Sequence, residues 1–190
     1  MSVTDTKGSI GRAVDTTQPL LSVRSLSTTF RTPAGEVRAV RDVSFDIRPG
    51  EVVGLVGESG SGKTVTGLSL LRLLPASAAV EGTVQFDGRN VLAMKSEELR
   101  QLRGGGISMI FQDPMTSLDP VFTVESQMVG VMRAHSGIRK AAARDRAARL
   151  LRDVGSAAVT TRLRQYPHQL SGGMRQRILI AMALANEPKL

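Results

Sequence analysis

The sequence contains no cysteine and no tryptophan, and only two histidines, one tyrosine and five phenylalanines. Without cysteine, the chain cannot form disulfides, thiolate metal sites or a cysteine nucleophile. His135 and His168 are too few and too far apart to indicate a metal pair. No apolar run approaches the roughly 18 residues that span a bilayer. The Ser-, Thr- and Gly-rich segment 1–19 lacks the apolar core of a signal peptide, and we expect it to be a disordered tail.

The net charge of +8 is concentrated in one part of the chain. Between Arg133 and Arg177 there are 11 basic and 2 acidic residues, a surplus of 9, and the rest of the chain sums to −1. The scarcity of aromatic residues leaves little material for stacking on bases. A solvated basic face is therefore favoured over a nucleic-acid site, and contact with a membrane surface or an acidic partner is a third interpretation. At 190 residues the chain is long enough for one domain with a real core.

The clearest motif is a glycine-rich loop that matches G-x-x-x-x-G-K-[ST] at every fixed position. It consists of Gly57, Glu58, Ser59, Gly60, Ser61, Gly62, Lys63 and Thr64. Such a loop turns backbone N–H groups inward, and the helix that follows adds partial positive charge, so the site suits phosphate. Lys63 is expected to reach the β- and γ-phosphates, and the Thr64 hydroxyl to bind Mg²⁺. A Gly/Ser-rich linker that happens to contain a lysine is the alternative.

The segments around the loop favour the phosphate-binding interpretation. The apolar, β-branched run at 51–56 predicts a buried strand, and 66–74 predicts a helix stopped by Pro75. Ahead of them, 21–30 and 37–47 predict two strands of an antiparallel unit. After Pro75 the sequence predicts strands at 82–88 and 91–92, and then a short helix from Ser96 that is ended by glycines 104–106. A buried strand at 107–111 runs into Gln112. The rest is predicted to be helical, with helices from Thr123, over 138–154 (closed by Gly155) and through Ile180 and Leu184.

The order of three features resembles that of the nucleotide-binding subunits of ABC transporters. The phosphate loop comes first, Gln112 follows a predicted strand about fifty residues later, and residues 170–177 are similar to the signature L-S-G-G-x-x-Q-[RK]. More narrowly, residues 110–120 and 166–169 resemble the oligopeptide, dipeptide and nickel importer branch. The resemblance covers residues 20–190. It implies an α/β fold with a P-loop NTPase core, an N-terminal antiparallel β-subdomain, and a helical subdomain at about 113–172 that carries the signature.

The resemblance also implies roles for individual residues. Phe30 matches the aromatic that stacks on adenine, although ordinary packing at a strand end is the alternative. The loop and the adjoining Val65 match the ATP-binding segment, with Lys63 and Gln112 in catalytic roles and Thr64 and Gln112 at Mg²⁺. Gln112 also lies where the membrane subunit is sensed. The signature contacts the γ-phosphate of ATP held by the opposite subunit, and its residues here are Leu170, Ser171, Gly172, Gly173, Met174, Arg175 and Gln176.

The partners implied by the resemblance are a second ATPase subunit (identical or different), integral-membrane permease subunits and, through the complex, an extracytoplasmic solute-binding protein. It places the chain at the cytoplasmic face of the cell (inner) membrane. ATP and Mg²⁺ are the implied cofactors, and nucleic acid is not an expected partner. Among peptides, nickel and related solutes, we favour peptides.

One departure from the family pattern concerns the catalytic carboxylates. After the signature helix the family places an apolar strand ending in Asp-Glu, then a dimer-contact loop and a switch histidine, and the sequence stops at Leu190 before any of them. We expect a fragment of a longer protein that does not hydrolyse ATP by itself. A nucleotide-binding regulatory module without turnover is the alternative. A DNA-associated ABC ATPase is disfavoured because no heptads lie between Gln112 and Leu170.

Overall fold

The computed structural model describes residues 18–112 and 117–190, and the chain divides between Met94 and Lys95 into two compact units. The predicted tail at 1–19 lies outside the described residues except for its last two. Residues 113–116, part of the segment that resembles the peptide-importer branch, lie outside them as well.

The first unit is built on an antiparallel sheet. Its strands are β1 (Leu21–Thr32), β2 (Gly35–Ile47), β3 (Ala78–Phe86) and β4 (Arg89–Asn90), in the order β2-β1-β3-β4. The alternation of apolar residues at the start of β1 places Leu21 and Val23 in the core, where they pair with Phe86 and Val84 of β3, and Leu26 is buried after a shift in register. The predicted antiparallel unit is therefore confirmed, and its turn falls between Thr32 and Gly35.

In an irregular stretch of the β1–β2 ladder, side-chain hydroxyls accept hydrogen bonds from backbone amides. The register shifts after Val23, and there the Ser44 hydroxyl accepts from the Ser25 amide while the Ser27 hydroxyl accepts from the Asp42 amide. Beside this stretch Arg24 donates two hydrogen bonds to Asp46, at 2.8 and 2.7 Å. These hydrogen bonds from Arg24 hold the pKa of the Asp46 carboxyl below its usual value.

Helix α1 (Lys63–Leu70) follows the glycine-rich loop. It begins three residues earlier and ends four residues earlier than the predicted helix, well before Pro75. Its end is a Schellman motif, in which Leu73 N–H donates to Leu68 O and Arg72 N–H donates to Ser69 O. Arg72 takes the left-handed conformation (φ +51°) that usually needs glycine, and its guanidinium bonds to Met94 O at 2.7 Å. Backbone capping thus ends the helix before proline does.

A pair of buried hydroxyls joins α1 to the sheet. Thr28 Oγ1 and Ser69 Oγ lie 2.9 Å apart, and both residues are completely buried. Ser69 uses its only proton to donate to Val65 O at 2.7 Å. Because a serine hydroxyl has one donor, Thr28 must donate to Ser69. The helix is therefore fixed to the central strand by a directional bond as well as by apolar packing.

The predicted strands at 51–56 and 91–92 are wrong. Residues 51–56 have no strand conformation, and Val52 and Val56 are 97% and 90% exposed. Apolar β-branched residues form a strand where neighbouring strands supply hydrogen-bond partners, and none of the described strands pairs with 51–56. Val91–Ala93 is a 3₁₀ turn, and the short strand lies just before it, at Arg89–Asn90.

The second unit is helical. Its helices are α2 (Ser96–Gly105), α3 (Val124–Ser136), α4 (Lys140–Asp153), α5 (Val159–Arg164) and α6 (Gly172–Ala183), with a 3₁₀ turn at Pro167–Gln169. They pack around one core formed by Leu118, Val124, Met128, Val129, Met132, Ala143, Ala147, Leu151, Leu163, Leu170, Ile178, Ala181 and Ala185. As predicted, Gly155 lies just past the end of α4 in the left-handed conformation, at φ +73°. Among the described residues, no helix is both long and apolar enough to cross a bilayer.

The predicted strand at 107–111 is also wrong. Ile107 is buried and makes a single bridge with Arg103, but Ile110 and Phe111 are about half exposed. Besides the end of α2, where Ile107 also bonds to Leu102 and Gly104, the segment lies next to residues 189–190 in the described part of the chain. Ser108 N–H donates to Leu190 O at 2.8 Å, and Lys189 N–H donates to Gly106 O at 2.8 Å. Two residues are too few to complete a strand pair, so the apolar residues from 108 onward have no ladder to join.

The buried hydroxyl pair generates the first prediction. Ser69→Ala leaves the Thr28 hydroxyl buried without an acceptor, and we expect it to lower the free energy of unfolding by about 1–3 kcal/mol. The double variant Thr28→Val/Ser69→Ala removes both polar partners and should regain much of that loss. Urea denaturation measures the free energy of unfolding of Ser69→Ala, of Thr28→Val and of the double variant. If the double variant loses as much stability as the two single variants together, the hydrogen bond from Thr28 to Ser69 is contradicted.

Candidate functional site

The glycine-rich loop lies in the first unit, between the exposed segment 51–56 and α1. A turn at Ser59 and Gly60 and a bend at Ser61 and Gly62 bring the chain into the helix. The Ser61 amide donates to Glu58 O at 3.2 Å within this turn. The first turn of α1 is anchored on Gly62 O, which accepts from both the amide and the hydroxyl of Thr66, at 2.8 and 3.0 Å. The loop therefore has a defined path into the helix.

Gly62 is the point where the loop touches the sheet. It is the N-cap residue of α1, its φ is +90°, and a Cβ built on it would lie 2.4 Å from Ala39 O of β2. Both the left-handed backbone and the close approach exclude any side chain here. The motif glycine before the lysine is thus required by contacts inside this unit as well as by any phosphate ligand.

Lys63 already makes contacts within its own loop. Its ammonium donates to Gly57 O at 2.7 Å, to Glu58 O at 2.6 Å and to Ser61 Oγ at 3.2 Å. These bonds draw the positive charge over the loop, where a phosphate would lie. The sequence predicts that Lys63 binds phosphate, but not that its ammonium also bonds to the loop itself.

Thr64 is exposed and Val65 is half-buried at the start of α1. No group of three or more His, Asp or Glu side chains within the described residues is arranged to hold a metal ion. Mg²⁺ is commonly held by substrate phosphates and few protein groups, and an exposed threonine next to a phosphate loop suits that mode of binding.

Phe30 lies on the same hairpin that receives the loop. It is half-buried near the end of β1 and pairs with Val37 of β2, while the loop contacts β2 at Ala39 and Val40. The structure therefore brings the predicted aromatic and the predicted phosphate loop onto one hairpin of the first unit. Its cross-strand pairing also agrees with the packing alternative for this side chain.

The signature segment forms the N-terminus of α6 in the second unit. Leu170 is buried, whereas Ser171, Gly172 and Gly173 are exposed. The Ser171 hydroxyl makes no capping hydrogen bond to the helix, and a Cβ on either glycine would meet nothing within 4 Å in the described part of the chain. The first-turn amides are thus presented at an open surface, where backbone donors and the helix dipole favour an anion.

The other signature side chains differ in their exposure and contacts. Met174 packs against the helical core, and Gln176 is exposed. Arg175 Nε donates to Pro167 O at 2.8 Å, and Arg177 donates to Gly155 O at 2.6 Å. Sequence reasoning did not find these two contacts, because they join elements whose proximity appears only in the fold.

Gln112 lies in the second unit and is exposed in a bend, directly before the undescribed residues 113–116. The predicted site residues thus fall into two groups. Phe30 and the phosphate loop lie together in the first unit, and Gln112 and the signature lie in the second.

Comparison with known proteins gives a family match over most of the chain. The family model described as "ABC transporter" matches residues 40–190. The chain is 54% identical over 176 residues to the peptidoglycan transport ATP-binding protein YejF of Agrobacterium fabrum, which covers 92% of this chain and 32% of the relative. It is 46% identical over 190 residues to the oligopeptide transport ATP-binding protein OppD of Escherichia coli, with 100% of this chain and 56% of the relative covered. The chain thus spans about a third of the length of the first relative and a little more than half of the length of the second.

A solved structure supports the fold. The dimeric structure of an ATP-binding cassette in a post-hydrolysis state, bound to ADP and Pi, matches with a TM-score of 0.76 and 28% sequence identity. The match covers 88% of this chain and 70% of that chain. The predicted α/β fold class is thereby confirmed.

Two loop glycines allow a matched test of the contact with β2. Gly60 and Gly62 both have positive φ, at +81° and +90°, but a Cβ on Gly60 would meet nothing within 4 Å. Gly60→Ala should therefore cost only the left-handed backbone, about 1–2 kcal/mol of the free energy of unfolding. Gly62→Ala should cost clearly more, because the methyl group would also overlap Ala39 O. Equal losses for the two variants in urea denaturation would contradict the contact with Ala39.

Proposed function

The chain belongs to the ABC transporter family, and on that premise we propose that it is the ATP-binding, energy-coupling part of an importer ATPase subunit. The observation that carries this proposal is the loop at 57–64, whose turn, lysine and helix start are organised for phosphate within one unit. The exposed start of α6 at Ser171 is the second element that such an ATPase requires.

In this proposal ATP binds to the first unit. The loop amides and the N-terminus of α1 receive the β- and γ-phosphates, and Lys63 supplies the charge. Phe30 lies on the hairpin beside the loop and stacks on the adenine. Its half-buried position leaves part of the ring available for that contact.

Mg²⁺ would be held by the phosphates together with the hydroxyl of Thr64. Once bound, the ion would neutralise the charge that develops on the transferred phosphoryl group. The share of the first unit is to place the threonine hydroxyl where the phosphates bring the ion. Gln112, in the second unit, remains a predicted catalytic residue. We propose ATP hydrolysis as the activity of the ATPase subunit.

The signature segment would complete the site of a second subunit. Gly172 and Gly173 are open on the side where a Cβ would project, and the Ser171 hydroxyl is not used for capping. An anion from another molecule can therefore reach these backbone amides without displacing any part of this unit. We propose that the anion is the γ-phosphate of ATP on an identical or related ATPase subunit.

We further propose that the transported solute is a peptide or oligopeptide. The support is the 46–54% identity to relatives named for oligopeptide and peptidoglycan transport. The proposed partners are permease subunits in the cell membrane, with the chain at their cytoplasmic face, and through the complex an extracytoplasmic solute-binding protein. Nucleic acid is not among them.

Lys63 gives the direct test of nucleotide binding. Removing its charge should weaken Mg²⁺-ATP binding about 10- to 100-fold, the effect expected for one charge-assisted hydrogen bond. Calorimetry on Lys63→Ala measures the change. Lys140→Ala is the matched control, because Lys140 is exposed at the start of α4, and it should bind ATP like the parent. Equal affinity for Lys63→Ala and the parent would contradict the phosphate-loop assignment.

The shared site is tested by mixing variants of the intact subunit. A Lys63→Ala subunit and a Ser171→Arg subunit should each be inactive alone. Together they form one composite site with both defects and one with neither, so turnover should reappear. The control replaces the Ser171→Arg subunit by Lys63→Ala/Ser171→Arg, which leaves no site with an intact loop. A first mixture as inactive as this control would argue against sites shared between subunits.

A further inference from the structure

Two arginines of the signature segment make contacts that lead away from its exposed face. Arg175 Nε donates to Pro167 O at 2.8 Å, and Arg177 Nη1 donates to Gly155 O at 2.6 Å. We propose that Arg175 and Arg177 are positioning residues that hold the amides of 171–173 in place for phosphate, and we call the two contacts the arginine brace. The inference rests on the proposed function of that segment.

The Arg175 contact closes a small loop around the phosphate-facing residues. Pro167 is buried, and its carbonyl also accepts from the Leu170 amide at 3.1 Å. One carbonyl oxygen therefore joins the residue before Ser171 to a residue one helical turn after it. The turn that carries this carbonyl is itself closed, since the Gln169 side chain accepts from the Tyr166 amide at 2.8 Å.

The Arg177 contact joins the second turn of α6 to the end of α4. The Gly155 carbonyl lies just past that helix, where the partial negative charge of the helix dipole favours a cation. The end of α4 is fixed in turn, because Gly155 N–H donates to Arg152 O at 2.8 Å and Leu151 is completely buried in the core. Arg177 thereby connects α6 to a rigid neighbour.

Residues 171–173 do not fix their own position through their side chains. Gly172 and Gly173 have no side chains to pack, and the Ser171 hydroxyl is not bonded to the helix. Their position therefore depends on their neighbours, which are the buried Leu170 before them and, after them, Met174 in the core and the two arginines. A displacement of about 1 Å at a phosphate-binding face is enough to lower turnover strongly.

The test uses Arg175→Met and Arg177→Met in the intact subunit, since methionine keeps an apolar stem and removes the donors. Each variant should lower kcat/KM about tenfold or more in the parent background. In a Gly173→Ala background, where a methyl group already stands on the side from which the anion approaches, the same change should lower it less than about twofold, because the brace acts through residues 171–173. Arg175→Lys keeps a donor and should restore most of the activity.

Two further measurements separate positioning from general stability. Mg²⁺-ATP affinity at the phosphate loop, in the first unit, should stay within about twofold of the parent, since the brace lies elsewhere. Amide hydrogen exchange should rise over 166–173 but not over the rest of α6. Arg149→Met is the matched control, because Arg149 is exposed on α4 and its side chain makes no hydrogen bond or ion pair within the described residues, and it should leave turnover unchanged.

The outcomes distinguish the two proposals. If Gly173→Ala leaves turnover unchanged, the proposed role of the signature is overturned, and the brace with it. If Gly173→Ala lowers turnover but Arg175→Met and Arg177→Met have no effect, or the same effect in both backgrounds, the brace alone is overturned. Exchange that rises along all of α6 would also overturn it, because it would indicate a loss of helix stability.

Discussion

The close approach of Gly62 to Ala39 O is the constraint on which the first unit depends. Two backbones meet there without a side chain between them, and α1 begins one residue later. The same helix is held at its other end by Ser69, which accepts from Thr28 of the central strand. Between these two points the helix can take only one position on the sheet. The sheet therefore fixes the position of the loop that precedes α1, although the loop residues themselves contribute almost no apolar contacts.

The local elements could largely be predicted from the sequence, because their signals are local. Alternating apolar residues predicted β1 and β2, and Gly155 predicted the end of α4. The strands at 51–56 and 107–111 could not be judged in the same way. Their apolar residues indicate a tendency to be buried, but a strand also needs a partner for every amide and carbonyl. The described residues supply no such partner to 51–56 and only two residues, 189–190, beside 107–111.

For the site, the sequence could identify which residues matter but not all that they do. The fixed positions of the loop and the signature are motif residues, so their ligand roles could be predicted from the motifs and the family resemblance, and they stay predictions. Gly62 also packs on β2, Lys63 also closes its own loop, and Arg175 and Arg177 bond to carbonyls 8 and 22 residues away in sequence. Because contacts over that range depend on how helices and turns pack, they cannot be predicted from the spacing of residues within a single segment.

The three bonds of Lys63 have a consequence for the heat of nucleotide binding. A phosphate that approaches this ammonium must replace its bonds to Gly57 O, Glu58 O and Ser61 Oγ, at least in part. The exchange of one set of hydrogen bonds for another makes the enthalpy of the lysine contact smaller than that of a contact with a free ammonium. The side chain has, however, already lost most of its rotamer freedom before the ligand arrives, so little entropy remains to be lost. The lysine contact should therefore be mainly entropic in origin, with a modest heat signal and an affinity that changes little with temperature.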